Sequence, residues 1–397
     1  MTAAVGPGPA ALAAAGLRAP EYGGECLDGV LPAALGALGL ELPAGDGRDT
    51  EAARRRFDVP RTDRVCVVLV DGLGHALLAE RAGHAPFLRG RLPDARVLTV
   101  GFPSTTAASI GLFGTGRSSG RTGLAGYTVR NPATGGLANL VSWEGLDRSP
   151  AWQREPSLFR HVADAGVPVT SVGPARFAGS GLTVAALAPS VYVPAESLDD
   201  RVDAAVVALR RPGLVYLYWG DVDKVGHHAG WRSPEWGDAL SELDRGLAAL
   251  ARRLPGGAAL LVTADHGQVE VDADAIVDVA QRPSLATGVE LVAGEPRAAH
   301  VHLTDGSAAG VAAAASRWRA ELGDDALVTT RDEAIGAGWF GEVAPHVRPV
   351  IGDLVVAALG VGGVGDSRTQ TAASLRLRGM HGSLTPGEML VPLIVVA

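Results

Sequence analysis

The sequence has little cysteine, no surplus of positive charge and no long apolar run. Its two cysteines, Cys26 and Cys66, are too few for a disulfide framework, and Cys66 lies within an apolar run where we expect a small buried side chain. The net charge is −8. This balance excludes a nucleic-acid polymer as a partner, because there is no basic surplus to displace counterions from phosphates. A small phosphorylated substrate is still allowed, since metal ions could provide positive charge locally.

No part of the chain has the pattern of a membrane anchor or an export signal. No apolar run reaches the roughly 18 to 20 residues that cross a bilayer. Residues 1–16 lack a basic n-region, and two Gly-Pro pairs interrupt their apolar residues. We therefore predict a cytoplasmic protein that has no membrane partner.

Apolar strand-like runs alternate with helical patterns over much of the chain. Residues 65–70, 214–219 and 258–263 are typical of buried strands. The alternation predicts an α/β fold with a mostly parallel central sheet and helices on both faces. Residues 271–360 break this rhythm with short strands and an alanine-rich helix, so we expect a small α+β insertion there.

The N-terminal region is expected to pack on the main body of the protein. Apolar residues at helical spacing within residues 27–38 predict a short helix. The polar residues 45–56 are expected to form a surface connection. The predicted organisation is a leader at residues 1–60, a core at residues 61–270 and 361–397, and the insertion at residues 271–360.

Four short motifs place carboxylates and imidazoles along the predicted core. The apolar run of residues 65–70 ends in Asp71-Gly72, and open α/β sheets bind their ligands at the carboxyl ends of strands. Asp223 and His227 are four residues apart, so on a helical turn both side chains face the same way. The other two motifs are Asp265-His266-Gly267 and Gly379-Met380-His381-Gly382.

These residue types suit divalent metal ions. Carboxylate oxygen and imidazole nitrogen are ligands of zinc and manganese. Three carboxylates and a threonine alkoxide balance the charge of two divalent ions, and without metal the carboxylates would raise one another's pKa. Because neighbours at a strand end point apart, Asp265 and His266 serve one ion only in a loop geometry, or serve two. The two sets on offer are Asp71, Asp265 and His266, and then Asp223, His227 and His381.

A Pro-Ser-Thr-Thr segment that ends at Thr106 provides a candidate nucleophile. A threonine hydroxyl attacks only when it is activated, and coordination to a metal activates it. At a helix start, backbone N–H groups and the positive end of the helix dipole would face an incoming phosphate. Ser104 and Thr105 compete with Thr106 for this role, and the cluster could instead be a helix cap.

Each motif has a less specific explanation when it is taken alone. An aspartate after a strand is more often a cap or turn residue, and His228 could replace His227. His300 and His302 alternate along a predicted strand and are expected to line one face of the insertion. The hypothesis therefore depends on the joint occurrence, in order, of four motifs and the threonine segment. The remaining histidines lack paired spacing and are expected to be structural: His75, His84, His161 and His346.

This ordered set of motifs resembles the alkaline phosphatase superfamily, in particular its nucleotide pyrophosphatase/phosphodiesterase (type I phosphodiesterase) branch. The shared features are Asp-Gly after the first strand, Pro-[Ser/Thr]-x-Thr, Asp-x-x-x-His, Asp-His-Gly and a late Gly-x-His-Gly. They cover roughly residues 60–270 and 375–397. An insertion between Asp-His-Gly and the last histidine also fits this branch.

The resemblance implies two divalent ions, with zinc favoured over manganese, and a small phosphorylated substrate such as a nucleotide. It selects Thr106 over Thr105 because Thr106 closes the Pro-[Ser/Thr]-x-Thr motif and keeps the spacing to Thr115-Gly116. The implied reaction is in-line attack of Thr106 on phosphorus, a phosphothreonine intermediate and its hydrolysis. The implied ligand sets are Asp71, Thr106, Asp265 and His266 for one ion, and Asp223, His227 and His381 for the other.

One position departs from the branch. Many of these phosphodiesterases have an asparagine three residues after the nucleophile that donates to a phosphate oxygen, and this chain has Ser109 there. A serine hydroxyl also donates, although its reach is shorter. Ser109 is therefore a predicted substrate-binding residue, and the departure bears on substrate class more than on the chemistry.

We expect a phosphodiesterase or nucleotide pyrophosphatase. A phosphomonoesterase or a phosphonate hydrolase of the same superfamily stays open, because only pocket shape separates them, and a metal-free binding protein is less favoured. The sequence lacks the Cys/Ser-x-Pro-x-Arg of sulfatases and the Gly-x-x-x-x-Gly-Lys-[Ser/Thr] of P-loop enzymes, and a phosphoglycerate mutase would be longer and use serine. Tyr127, Trp143 and Trp219 are candidate pocket aromatics, with packing as the competing role.

Overall fold

The protein, seen in a computed structural model that describes residues 7–146 and 151–397, alternates strands and helices along most of the chain. The strands are β1 (Arg64–Val70), β2 (Arg96–Thr99), β3 (Thr128–Arg130), β4 (Leu137–Asn139), β5 (Val169–Gly173), β6 (Val191–Pro194), β7 (Gly213–Trp219), β8 (Ala259–Ala264), β9 (Val269–Glu270), β10 (Ile276–Asp278), β11 (Val289–Glu295), β12 (Ala298–Leu303), β13 (Ala326–Thr330), β14 (Leu354–Ala358), β15 (Gly363–Gly365), β16 (Gly379–Met380) and β17 (Leu390–Val396). The α-helices are α1 (Pro9–Ala14), α2 (Val30–Ala37), α3 (Thr50–Arg56), α4 (His75–Glu80), α5 (Pro86–Arg89), α6 (Thr106–Thr115), α7 (Ser119–Thr122), α8 (Leu158–Asp164), α9 (Gly181–Leu187), α10 (Leu198–Ala208), α11 (Asp221–Ala229), α12 (Pro234–Arg253), α13 (Pro283–Ala286), α14 (Ala308–Leu322), α15 (Arg331–Gly336) and α16 (Pro386–Met389).

The main sheet has seven strands in the order β2-β17-β8-β1-β7-β5-β6. Strand β1 runs parallel to β7 and β8, and β5 runs parallel to β6 and β7, whereas β17 is antiparallel to β2 and β8. Residues 65–70 of β1 are fully buried, because a central parallel strand is covered on both faces and is therefore apolar along its length. Helices flank this sheet, so the predicted α/β fold with a mostly parallel central sheet is confirmed.

Three central strands end at the same edge of the sheet. In the pairing register, Val70 at the end of β1 lies between Trp219 of β7 and Ala264 of β8. The residues that follow these strands, Asp71, helix α11 and Asp265, therefore emerge side by side. The parallel topology alone thus brings together motifs that are far apart in sequence.

A second, antiparallel sheet has the order β11-β12-β14-β13 and lies within the segment predicted to be the insertion. Its buried side chains form a separate apolar cluster around Trp318, Val301 and Val356. Strand β9, which precedes the predicted insertion, pairs in antiparallel register with β16, which follows it. The insertion therefore begins and ends at neighbouring points of the structure. The exact division of the chain into leader, core and insertion remains a prediction.

The N-terminal region corrects one expectation. The predicted short helix is present as α2, but residues 45–56 are not only a surface connection, because α3 occupies residues 50–56. The Asp49 side chain caps α3 by accepting a hydrogen bond from the N–H of Ala52 (2.9 Å). A Cβ added at Gly36 would lie 2.2 Å from the carbonyl oxygen of Thr50, so α2 and α3 touch backbone to backbone. The charged face of α3 concealed its short buried face from pattern analysis.

Strands β3 and β4 pair with each other in antiparallel register. Across the described residues, no helix combines the length and the apolar composition that crossing a bilayer requires.

Candidate metal centre

The candidate ligands gather at the edge where β1, β7 and β8 end. Asp71 follows the last residue of β1 and is buried, and Asp265 and His266 follow the last residue of β8 and are completely buried. The other ligands lie on α11 and after β16, and Thr106 is the first residue of α6. Seven sequence-predicted residues therefore come from five separate segments: Asp71, Thr106, Asp223, His227, Asp265, His266 and His381.

Asp71, Asp265 and His266 form the first group. The Nε2 atom of His266 is 3.3 Å from Oδ1 of Asp71 and 3.6 Å from Oδ2 of Asp265. Neither of these two carboxylate oxygens has a hydrogen-bond partner, although both are buried. A buried oxygen without a partner costs free energy. The three side chains offer ligand atoms within 4.8 Å of one another, so a cation fits what this group lacks.

Asp223, His227 and His381 lie beside the first group. His227 Nε2 is 3.1 Å from Oδ2 of Asp223, and His381 Nε2 is 4.0 Å from Oδ1 of Asp223. The His381 ring stacks on the ring of His266 at a centroid distance of 3.6 Å. His266 thus lies between two clusters, and its ligand atom is within 4.8 Å of those of Asp223 and His381 as well. The predicted division of the six ligands between two ions remains a prediction.

The imidazoles are oriented by backbone carbonyl groups. Each Nδ1 hydrogen bond fixes the tautomer and leaves Nε2 with a lone pair directed at the site, which is the usual arrangement of metal-binding histidines. The three contacts are His227 Nδ1 to the Gly379 carbonyl (2.6 Å), His266 Nδ1 to the Gly267 carbonyl (3.0 Å) and His381 Nδ1 to the Ser104 carbonyl (3.0 Å).

The carboxylates are also held by hydrogen bonds from neighbouring groups. The Tyr218 hydroxyl donates to Oδ2 of Asp71, and the Gln268 side chain donates to Oδ1 of Asp223 (2.7 Å). The N–H groups of Gly72 and His266 donate to Oδ1 of Asp265 (3.1 and 3.0 Å). Sequence reasoning missed Tyr218 and Gln268. The position of Gln268, directly after the Asp-His-Gly motif, was the available signal for it.

Burial and close carboxylates determine the electrostatics of the first group. Burial and the neighbouring Asp71 carboxylate raise the pKa of Asp265 well above its usual value. Burial disfavours a charged His266, but Asp265 and Asp71 outweigh this and raise the pKa of His266 to about 10. Burial and the adjacent His266 lower the pKa of His381. Without metal, His266 therefore carries the positive charge that the acids need.

Thr106 is the hydroxyl of its segment that reaches the centre. Its Oγ1 is 3.2 Å from Nε2 of His266, and the residue lines the adjacent cavity. Ser104 is buried and donates to the carbonyl oxygen of Ser383 (2.8 Å). Thr105 caps the helix by position, and its buried hydroxyl has no partner. Thr105 also lines the cavity, but of these three hydroxyls only that of Thr106 has a described contact with a candidate ligand.

Two other sequence candidates lie elsewhere. Ser109 is fully buried in α6 and is not among the residues that line the cavity, so the structure does not bring it to the site. The cavity touches α6 at Thr106, Ala107 and Ile110, and Ser109 projects away from that side. His228, the competitor of His227, is exposed on α11.

A cavity of about 750 Å³ opens beside the centre. Its lining includes Thr106, Asp223, His227 and His381. Of the three candidate pocket aromatics, Tyr127 lines it with half of its surface exposed. Trp143 and Trp219 are buried outside this lining.

Parts of the chain are similar in sequence to known proteins. Two curated relatives match short stretches: human ectonucleotide pyrophosphatase/phosphodiesterase family member 5 is 29% identical over 120 residues, and phosphopentomutase of Anaeromyxobacter dehalogenans (strain 2CP-C) is 36% identical over 118 residues. These matches cover 28% of this chain in each case, and 25% and 28% of the two relatives. The chain thus matches about a quarter of the length of these relatives.

Solved structures share the fold over most of the chain. Murine ectonucleotide pyrophosphatase/phosphodiesterase 5 superposes with a TM-score of 0.65 at 18% identity, covering 83% of this chain and 87% of that one. Phosphonoacetate hydrolase from Sinorhizobium meliloti 1021, in complex with phosphonoacetate, superposes with a TM-score of 0.64 at 24% identity, covering 84% and 89%.

The family assignment comes from the sequence itself. The model of the type I phosphodiesterase / nucleotide pyrophosphatase family matches residues 65–384, which include the metal-ligand candidates and the threonine segment. The chain therefore belongs to this family.

Proposed function

We propose that the protein is a hydrolase that uses two divalent metal ions to cleave phosphodiester bonds, with Thr106 as the nucleophile. One observation carries the proposal: three carboxylates and three imidazoles from distant segments converge beside a single partly exposed hydroxyl. Two buried carboxylate oxygens at that point, Asp71 Oδ1 and Asp265 Oδ2, have no partner. This arrangement is costly for a scaffold and useful for a metal enzyme.

The residues present fit two ions. We assign Asp71, Thr106, Asp265 and His266 to one ion, and Asp223, His227 and His381 to the other, with zinc favoured over manganese because imidazoles contribute half of the six acid and imidazole ligands. When bound, the ions would neutralise the carboxylates, favour the alkoxide form of threonine and stabilise charge on the phosphoryl oxygens.

The chain's own groups position the reaction. Thr106 Oγ1 would form a bond to phosphorus while the bond from phosphorus to the leaving oxygen breaks, and water would later cleave the phosphothreonine with release of the threonine hydroxyl. The first-turn N–H groups of α6 have no intrahelical acceptor, so they can donate to a phosphoryl oxygen. The Nδ1 contacts of the histidines and the Tyr218 contact to Asp71 would keep the ligands in place during both steps.

The relatives support a small phosphorylated substrate. One structure of the murine phosphodiesterase 5 is an inactive threonine-to-alanine variant in complex with AMP. The S. meliloti hydrolase binds phosphonoacetate and phosphonoformate. A phosphonate hydrolase is therefore the second candidate function, and a phosphomonoesterase is the third. The cytoplasmic location expected from the sequence stays a prediction.

The test compares bis-p-nitrophenyl phosphate, p-nitrophenyl phosphate and the p-nitrophenyl ester of thymidine 5′-monophosphate, with zinc, with chelator and after zinc is restored. We expect diester turnover to exceed monoester turnover, to stop on chelation and to return with zinc. Thr106→Ala should lower turnover by roughly 10³-fold or more, because the covalent step is lost. Thr105→Ala is the matched control and should retain activity within about tenfold.

Two outcomes would contradict the assignment. Monoester turnover equal to or above diester turnover would overturn the phosphodiesterase proposal and leave the fold unchanged. Activity that survives in Thr106→Ala would transfer the nucleophile to Thr105 or to water.

A further inference from the structure

Beyond the candidate ligands, the walls of the cavity are mainly apolar and aromatic, with uncharged hydroxyl and amide side chains among them. Its volume of about 750 Å³ is within the range of pockets that enclose a drug-sized ligand. Such a volume exceeds what a bare phosphate needs, so a large part of the substrate would lie against these walls. Residues that form them include Tyr127, Leu137, Val141, Phe177, Leu182 and Tyr192.

The cavity offers no cationic side chain to a substrate. Among the described residues that line it, none is lysine or arginine. Apart from the candidate ligands Asp71 and Asp223, its acidic lining residues are Glu144 and Glu295. An anionic group that enters an apolar cavity loses hydration and needs a counter-charge in return. Beyond the metal centre, this lining provides none.

Glu295 lies between the metal centre and Tyr127. It is 9% exposed, its Oε2 accepts a hydrogen bond from the N–H of Tyr127 (2.7 Å), and its buried Oε1 has no partner. A Cβ added at Gly382, next to His381, would lie 2.9 Å from that Oε1. The unpartnered carboxyl oxygen is therefore held against the segment that carries a candidate ligand.

Glu295 adds no positive charge to this part of the wall. Burial raises the pKa of Glu295 to about 8. Near neutral pH the side chain is therefore mainly an uncharged acid, and at higher pH its negative charge would repel a second negative group.

We infer that the substrate is a phosphodiester whose organic arm is apolar or aromatic and carries no negative charge of its own. This inference rests on the proposed function and narrows it. It excludes arms that bear a carboxylate or further phosphates. It also separates this cavity from a site for phosphonoacetate, the ligand of the S. meliloti relative, because that compound carries a carboxylate.

The test uses two diesters with the same leaving group, p-nitrophenyl phenyl phosphate and p-nitrophenyl 4-carboxyphenyl phosphate. They differ by one carboxylate on the arm. With zinc present, we expect kcat/KM for the phenyl compound to be at least about tenfold higher. Equal values, or a higher value for the carboxylate, would overturn the inference.

A pair of charge reversals locates the effect. Glu144 is exposed at the cavity and Glu242 is exposed on α12 away from it. Glu144→Lys adds a cation at the cavity, so at low salt it should lower the ratio of kcat/KM for the phenyl diester to kcat/KM for the carboxyphenyl diester by about threefold or more. The change should be smaller at high salt, because salt screens the added charge. Glu242→Lys changes net charge equally and should leave the ratio unchanged. Equal effects of the two variants would count against a local origin.

Binding provides a readout that does not depend on turnover. Calorimetry on zinc-loaded Thr106→Ala compares diphenyl phosphate with its 4-carboxyphenyl analogue. Tighter binding of diphenyl phosphate supports the inference, and equal or tighter binding of the carboxylated compound overturns it. Failure of the proposed function shows itself differently, as wild-type protein without zinc-dependent turnover of either diester.

Discussion

The segment from β16 to α16 contributes one residue to each of two clusters of buried charge, and the two clusters differ in how completely their polar atoms are paired. His381 belongs to the candidate metal centre. Glu388 forms an ion pair with Arg297 in which both side chains are 0% exposed. The pair is bidentate, with Nε to Oε1 at 3.1 Å and Nη2 to Oε2 at 2.9 Å.

The Arg297–Glu388 pair has partners all round. The remaining guanidinium donors reach carbonyl oxygens that include those of Ala358 (3.1 Å) and Gly360 (3.0 Å). Glu388 Oε1 also accepts from the N–H of Ser383 (3.1 Å), and Oε2 accepts from the Thr385 hydroxyl (2.5 Å). This network is complete without any ligand.

The metal centre shows the reverse. Asp71 Oδ1 and Asp265 Oδ2 lack hydrogen-bond partners, and burial together with the Asp71 carboxylate raises the pKa of Asp265. The difference teaches that buried charge alone does not mark a functional site. A satisfied pair links segments of the fold, whereas an unsatisfied cluster is built to receive something from outside.

The largest expected effect comes from Asp265→Asn. It removes a proposed metal ligand, so zinc-dependent diester turnover should fall by roughly 10³-fold or more. In metal-free protein the same change removes the carboxylate that does most to raise the pKa of His266, so the stabilisation by protonated His266 below pH 6.5 should shrink. Steady-state kinetics and urea unfolding measure the two effects. Near-normal activity of Asp265→Asn in the presence of zinc would contradict the proposal that the unsatisfied cluster binds a catalytic metal ion.

Arg297→Met is expected to act on stability rather than on metal binding. It leaves Glu388 buried without its cation and should lower the free energy of unfolding by about 3 to 5 kcal/mol, with or without zinc. The double variant Arg297→Met/Glu388→Leu is the control and should recover most of this loss, because an apolar pair replaces the ionic one. A single variant as stable as wild type would show that the pair is not a structural link.

A change of pH should act on the unsatisfied cluster. In metal-free protein the pKa of His266 is raised to about 10, so its stabilising charge is fully present below pH 6.5 and is lost as pH rises toward 10. A tenfold gain in proton affinity on folding is worth about 1.4 kcal/mol of stability. Urea unfolding at several pH values measures the slope. His266→Gln should flatten it in metal-free protein, and an unchanged slope in that variant would assign the effect to other groups.

The smallest effect is expected at an exposed pair. Arg348 and Asp332 form an ion pair whose side chains are 48% and 62% exposed. Asp332→Asn should change the free energy of unfolding by at most about 0.5 kcal/mol, since water screens such pairs. Thermal or urea unfolding measures the free energy of unfolding of Asp332→Asn, and Arg297→Met measured in the same way provides the comparison. A loss comparable to that of Arg297→Met would mean that burial is not what separates the two kinds of pair.

Sequence analysis could predict the features that local pattern determines. Residues 65–70 are apolar because the strand is covered on both faces, and Asp71 follows because ligands bind where such strands end. The approach of Asp71, Asp223 and Asp265 then follows from parallel topology.

The features that failed, or were missed, depend on contacts between distant segments. Arg297 and Glu388 are 91 residues apart in sequence, and no spacing rule joins them. Glu295 reaches the cavity only because β11 packs near Tyr127. Ser109 follows Thr106 by three residues, yet the packing of α6 turns it into the interior. Such outcomes are decided by tertiary approach, which a single sequence does not encode in any local pattern.

The pairing of β9 with β16 has a consequence for how this architecture can diversify. Met380, one residue before His381, is bridged to Val269, three residues after His266, and the N–H of Val271 donates to the carbonyl oxygen of Arg378 (2.7 Å). This ladder fastens the two histidine-bearing segments to each other, regardless of the hundred or so residues that run between them. The intervening segment, and the part of the cavity lining that it provides, could therefore change in length or sequence during evolution. The positions of the two histidine-bearing segments relative to each other would stay the same.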